Sequence, residues 1–123
     1  MKTTINIKAT NVELNNQIKS HVHSRISSLE KFIDATEEDE ALFEVEVGKT
    51  TTNQRSGKIF RTEINLTVSG QFYRSEAKEK DLNTSTDAAS TEIERQLRRS
   101  KEKKIDLFRR GTRKIKNILR RRK

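Results

Sequence analysis

Phe60-Arg61-Thr62-Glu63-Ile64-Asn65-Leu66-Thr67-Val68 alternates strictly between two kinds of side chain. Phe60, Thr62, Ile64, Leu66 and Val68 fall on one face, and Arg61, Glu63, Asn65 and Thr67 on the other. A period of two is that of a strand with one covered face and one face in water. It predicts a sheet packed on one side only, and it fixes the reading of its neighbours. Downstream, Gly70-Gln71 predicts a tight hairpin into a further strand, Phe72 to Lys80. Upstream, Thr52-Asn53-Gln54-Arg55-Ser56-Gly57 is turn chemistry. Before that turn Phe43, Val45 and Val47 alternate with Glu44 and Glu46, a strand that extends toward Thr51.

The segments on either side of these three strands have a different period. Ile18, Val22, Ile26, Leu29 and Phe32-Ile33 recur every three or four residues, which predicts an amphipathic helix from about Asn16 to Ile33 with Asn15 as its N-cap. The remaining faces of that helix carry Lys19, His21, His23, Arg25 and Lys31. An acidic, nearly apolar-free stretch, Asp34 to Glu40, reads as a solvated loop, and Ile5 with Ile7 marks a short first strand. Asp81 is placed to cap a second helix whose buried stripe is Leu82, Thr86, Ala89, Ile93 and Leu97. Beyond Leu97 the stripe stops while helix formers continue to Lys104, so the helix should project past the sheet; Gly111-Thr112 is expected to break it. The last segment, Arg113 to Lys123, is expected either to form a short helix on a partner or to stay disordered when free. The fold class is α+β: a β-α-β-β-β-α two-layer sandwich, four strands with two helices on one face, plus a basic C-terminal extension. Residues 1–104 form the domain and residues 105–123 the basic tail, helical or disordered.

Charge is divided between the ends of the chain. Residues 95–123 hold 15 Lys or Arg against Glu102 and Asp106, a net +13, while residues 1–94 carry a net −4 within the overall +9. A polyanion attracts such an end, because each neutralised phosphate releases condensed counterions. With 30% apolar and 37% charged residues in 123, the core must be lean and the chain a single domain. There is no cysteine, hence no disulfide, thiolate metal site or thiol nucleophile. No apolar leader follows Met1-Lys2 and no run approaches membrane-spanning length, so a cytoplasmic location is expected.

Catalytic chemistry finds little support. His21 and His23 stand two apart on a predicted helix, so they point apart and make a poor metal pair; solvated or RNA-facing histidines are the plainer reading. Glu44 and Glu46 share a strand face, as solvent-facing acids commonly do, and no Gly-rich phosphate loop is present. No enzyme activity, cofactor, metal or small-molecule substrate is expected. Ile105, Leu107, Phe108, Ile115, Ile118 and Leu119 leave a membrane-surface helix as the lesser alternative for the basic end, with Gly111 interrupting its stripe. A DNA-reading pair of helices is absent, and Phe60 belongs to the core face rather than to a base-stacking sheet. Recognition of folded RNA by shape and phosphate remains.

Phe60 to Lys104 resembles the ribosome hibernation promoting factor family, also called ribosome-associated inhibitors. The resemblance runs through Phe60-Arg61-Thr62-Glu63-Ile64, Gly70, Asp81-Leu82-Asn83, Thr86-Asp87-Ala88-Ala89 and Ile93-Glu94-Arg95-Gln96-Leu97-Arg98-Arg99-Ser100-Lys101-Glu102-Lys103. Val22, Arg25 and Leu29-Glu30-Lys31 agree in the first helix, and the likeness covers about residues 3–104. It implies a non-enzymatic inhibitor in the decoding region of the small ribosomal subunit, occupying the tRNA and mRNA path against rRNA and neighbouring ribosomal proteins. It implies rRNA contacts at Lys19, Arg25 and Lys31 on the first helix and at Arg95, Arg98, Arg99, Lys101 and Lys103 on the second. The basic surface extends these to Lys104, Arg109, Arg110, Arg113 and Lys114. A stably bound ribosomal protein, or a general binder of structured RNA, is the alternative. Asn83 stands where the family has a tyrosine and Thr86 where it has an isoleucine, which leaves the packing at that helix start open. The family's long form has a C-terminal dimerisation domain without counterpart in this sequence, so a monomer when free is expected. Short members can end in an acidic tail, whereas Arg120-Arg121-Arg122-Lys123 resembles the extensions of ribosomal proteins.

Overall fold

The computed structural model describes residues 1–50, 57 and 59–121, with side chains to Ile115 in the last helix. In chain order the elements are β1 (Lys2–Thr10), α1 (Asn16–Leu29), a short 3-10 turn (Glu30–Phe32), β2 (Glu40–Lys49), β3 (Phe60–Val68), β4 (Gln71–Glu79) and α2 (Leu82–Arg121). The four strands form one sheet in the order β1-β2-β3-β4. β2, β3 and β4 are antiparallel neighbours, as expected, and β1 runs parallel to β2 with α1 as the crossover. The β-α-β-β-β-α sandwich predicted from sequence is the fold.

One face of the sheet holds the core. Phe43, Val45 and Val47 of β2 and Ile64, Leu66 and Val68 of β3 are buried against Val22, Ile26 and Leu29 of α1 and Ala89, Ile93 and Leu97 of α2. The other face meets water, as the alternation of β3 requires. β1 and β2 approach so closely at Thr10 and Gly48 that a Cβ on Gly48 would lie 2.8 Å from the Thr10 carbonyl oxygen. The hairpin turn sits one residue earlier than Gly70-Gln71. Ser69 (φ 50°) and Gly70 (φ 73°) are its two central residues, both at positive φ, the conformation that matches the twist of the flanking strands. The turn read at Thr52–Gly57 lies outside the described residues except for Gly57.

Both predicted caps form. The Ile18 amide donates to Asn15 Oδ1 (2.8 Å), and the Thr84 amide to Asp81 Oδ1 (2.7 Å). α1 gives way to the 3-10 turn at Glu30, so the regular helix ends four residues before Ile33. The break expected at Gly111 does not occur: α2 is one helix of 40 residues. A lone glycine costs a helix only about 1 kcal/mol relative to alanine, and the Thr112 hydroxyl returns a hydrogen bond to the Phe108 carbonyl across it (3.0 Å).

The substitution of threonine at position 86 has a partner. Thr86 is buried, and its hydroxyl lies 3.2 Å from that of Thr62 on β3, which in turn lies 2.8 Å from the Ser85 hydroxyl. A polar seam therefore joins α2 to the sheet inside an otherwise apolar layer. Thr62→Val leaves the Thr86 hydroxyl without that partner and is expected to lower stability by about 1–2 kcal/mol. Adding Thr86→Ile removes the orphaned group and should recover most of the loss in a denaturant-melt double-mutant cycle. If the two changes are additive, the hydroxyl pair contributes nothing.

Candidate nucleic-acid interface

α1 and α2 lie side by side on the sheet and advance in the same direction: His21 faces Asp87 at one end, and Phe32 faces Arg98 at the other. Both positive N-terminal poles therefore sit together, and the end of α1, followed by Lys31 in the 3-10 turn, lies beside the basic part of α2 at the opposite end. The helices are pinned through Asp87. His21 Nε2 donates to its Oδ1 (2.8 Å), Arg25 Nε lies 3.2 Å from the same oxygen, and Arg25 also donates to the Asp87 carbonyl (3.4 Å). Neither His21 nor Arg25 thus stands free on the surface, and His21 is an inter-helix contact rather than a solvated side chain. His23 is exposed.

At the far end Phe32 organises two cations. The Lys31 ammonium lies 5.1 Å and the Arg98 guanidinium 4.8 Å from the centre of its ring, within the range of cation–π attraction. Lys101 and Lys104 border the adjoining cavity with Phe32, Tyr73, Leu97 and Ser100, where the Tyr73 hydroxyl donates to Ser100 Oγ (2.9 Å). The sequence assigned Phe32 only to the apolar stripe. Its neighbour Lys31 was one visible hint, but the meeting with Arg98 depends on the pairing of helices far apart in the chain.

The other predicted cations are presented to solvent. Lys19, Arg95, Arg99, Lys101, Lys103, Lys104, Arg109, Arg110, Arg113 and Lys114 are all exposed. Arg95 pairs with Glu92 (2.7 Å), Arg98 with Glu94 (3.6 Å) and Arg110 with Asp106 (3.5 Å) along the helix. The hydrogen bond from Arg95 holds the Glu92 carboxyl below its ordinary pKa. Among the described residues Arg99, Lys101, Lys103, Lys104, Arg109, Arg113 and Lys114 carry no ion pair. A rod of unneutralised cations on a rigid helix is well suited to track a phosphate backbone. Lys19 lies on α1 toward the other end, away from this concentration.

The open face of the sheet has the opposite character. Glu46, Glu63 and Glu76 stand in register across β2, β3 and β4, and Arg61 reaches all three. Arg74 adds a second contact to Glu63 (3.1 Å), and the Asn65 amide donates to the same carboxylate (3.0 Å). Glu63 is held below its ordinary pKa first by Asn65 and then by Arg61 and Arg74, and Glu76 first by Arg61. The Arg61 pKa is raised in return, chiefly by the hydrogen bond to Glu76. Three carboxylates against two guanidinia leave this cluster with one net negative charge. Among the described residues, no group of three or more His, Cys, Asp and Glu side chains is arranged to hold a metal ion, and no helix is long and apolar enough to cross a membrane.

The profile of the Sigma 54 modulation protein / S30EA ribosomal protein family matches residues 5–105. The chain belongs to that family. The fold is shared with a solved structure: 80% of the chain superposes on 98% of the N-terminal domain of Protein Y from Thermus thermophilus, at a TM-score of 0.63 and 22% identity. A ribosomal subunit interface protein from Coxiella burnetii matches over 79% of the chain and 98% of its own length (TM-score 0.58, 15% identity). In sequence, the chain is 29% identical over 104 residues to the ribosome hibernation promotion factor of Bacillus subtilis (strain 168). That match takes in 85% of the chain and 51% of the relative, so the chain spans about half of its length. The family profile ends at residue 105, within α2, and the exposed basic rod continues beyond it.

Proposed function

We propose that this protein is a ribosome-binding translation inhibitor of the hibernation type. It occupies the tRNA and mRNA path in the decoding region of the small subunit and holds its place through rRNA phosphates. One observation carries the reading: two parallel helices deliver Lys31 and Arg98 to a common aromatic ring, at the base of a helix whose next residues are exposed cations. Family membership and the named relatives support the ribosome as the partner. Lys19, Lys31, Arg95, Arg98, Arg99, Lys101, Lys103 and Lys104 meet phosphates from residues 1–104. Arg109, Arg110, Arg113 and Lys114 do so from the extension. Arg25 acts through its grip on Asp87, keeping α2 at the angle that presents the others. The protein works in the cytoplasm as a monomer, without catalysis or cofactor.

A stably bound ribosomal component is the second reading, favoured by the length of the cationic helix past residue 105. Initiator tRNA separates the two. Small subunits preloaded with the full chain should fail to retain labelled initiator tRNA on a filter, and tRNA-loaded subunits should resist the protein. Simultaneous retention of both would remove the inhibitor reading and leave the component reading standing.

A further inference from the structure

The side of α2 that packs on the sheet continues, uncovered, past the end of the sheet. Leu97 is the last buried residue of that side. Phe108 follows about three turns later on the same side of the helix. Ile105, Phe108, Thr112 and Ile115 are spaced three, four and three residues apart, so at 3.6 residues per turn they form one narrow seam. The seam is bare: Ile105 is 43%, Phe108 76% and Ile115 61% exposed. The Thr112 hydroxyl is already bonded to the Phe108 carbonyl and asks nothing of a partner. At Gly111, beside the seam, no atom lies within 4 Å of the position a Cβ would take, which leaves room for another backbone to approach. Leu107, also exposed, lies off the seam.

Phosphates gain nothing from isoleucine and phenylalanine, and leaving apolar area in water forfeits about 25 cal/mol per Å². A covering apolar surface is therefore implied. A helix lying in a lipid surface uses a broad apolar face, whereas a seam of alternating three- and four-residue steps is the width of one partner helix. The positions flanking the seam select the partner's charge. Lys104 and Arg109 border it beside Ile105 and Phe108, and Glu102, one heptad before Arg109, is the acid on these flanks, so the flanking charge remains net positive. A second copy of the chain would bring these cations against their own kind. Carboxylates in the same places would complement them. Lys103 and Arg110 lie on the opposite side, so they stay open to RNA while Lys104 and Arg109 are shared between RNA and the docked helix.

We propose that the Ile105–Phe108–Ile115 seam docks a single amphipathic helix of an acidic protein, whose apolar residues repeat at three- and four-residue steps and whose flanking positions carry Asp or Glu. The test uses the full chain and a synthetic helical heptad peptide with Leu and Ile in its seam and Glu on both flanks. An identical peptide with Lys on its flanks, vesicles of phosphatidylglycerol and phosphatidylethanolamine, and purified rRNA serve as competitors. The Glu peptide should bind, and the Lys peptide should bind roughly 30-fold more weakly or not at all. The double variant Phe108→Gln, Ile115→Gln keeps charge and helix propensity and should lose the Glu peptide by a similar factor, with unchanged helix content and unchanged affinity for purified rRNA. Equal binding of the two peptides overturns the proposal, as does binding of neither. So does self-association of the chain in preference to the peptide, displacement of the peptide by vesicles, or weaker rRNA binding by the double variant. Peptide binding needs no ribosome, so its failure leaves the inhibitor reading intact, and the converse holds.

Discussion

Small-subunit affinity is expected to fall roughly 10³-fold when Arg95, Arg98 and Arg99 are all changed to glutamate, with the fold retained. A phosphate that no longer meets a cation keeps its condensed counterion, and near 0.1 M salt the release of that ion is worth about a factor of ten. Reversal adds repulsion, so the three phosphates set a lower bound. The three arginines are exposed, and what they give the folded chain is small. Losing the pairs of Arg95 with Glu92 and Arg98 with Glu94 costs a few tenths of a kcal/mol each. Losing the approach of Arg98 to the Phe32 ring costs about 0.5–1 kcal/mol. Thermal melts should therefore shift little while co-sedimentation disappears. Salt supplies an independent measure. With six to ten phosphates neutralised, the native chain should lose roughly 10³–10⁵ in affinity between 50 and 200 mM salt. Changing the same three residues to alanine should lower the slope of log affinity against log salt by about three. A triple reversal that still sediments with ribosomes would remove α2 from the interface.

The basic rod and the sheet were legible in the sequence for the same reason: each depends on residues close together in the chain. Phe60 to Val68 carries its own period, Asn15 and Asp81 cap the helices that follow them, and the cations of residues 95–114 declare themselves by count. What could not be read depends on which helix face meets which. Arg25 and His21 looked like surface groups because Asp87, the acid that engages them, lies on the other helix. Phe32 packs against the core as its stripe implies, and the topology adds what the stripe does not show, Arg98 over its ring. Thr86 looked like a misfit in an apolar stripe until Thr62 stood opposite it. Gly111 was misread for another reason. Single-residue propensity is weak, and helix formers on both sides of the glycine outweigh it. That one correction unites Ile105, Phe108 and Ile115 on a continuous surface, where the sequence had shown two fragments.

Arg61→Met should destabilise the protein by about 2–3 kcal/mol at neutral pH, between the values for exposed and buried ion pairs, and the deficit should shrink in acid. The reason lies in the register. Glu46, Glu63 and Glu76 are direct neighbours across three strands, and like charges so placed repel. Arg61 bonds to each of them, and its methionine replacement keeps the stem while removing the charge. In the native chain Glu63 and Glu76 have pKa values below those of an unfolded chain, so their contribution is complete above the ordinary glutamate pKa near 4.3 and is lost as pH falls through the lower folded values. In the variant Arg74 and Asn65 still serve Glu63, but Glu46 and Glu76 lose their principal partner. With no guanidinium between them the neighbouring carboxylates repel one another in the folded state, and the sign reverses. Protonation relieves the cluster, so the variant gains stability from this site as pH drops through about 5 to 4. Urea melts of both proteins across pH 7 to 4 should therefore converge. Parallel curves would show that Arg61 acts by packing alone, and that the charges on the open face do not hold β2, β3 and β4 together.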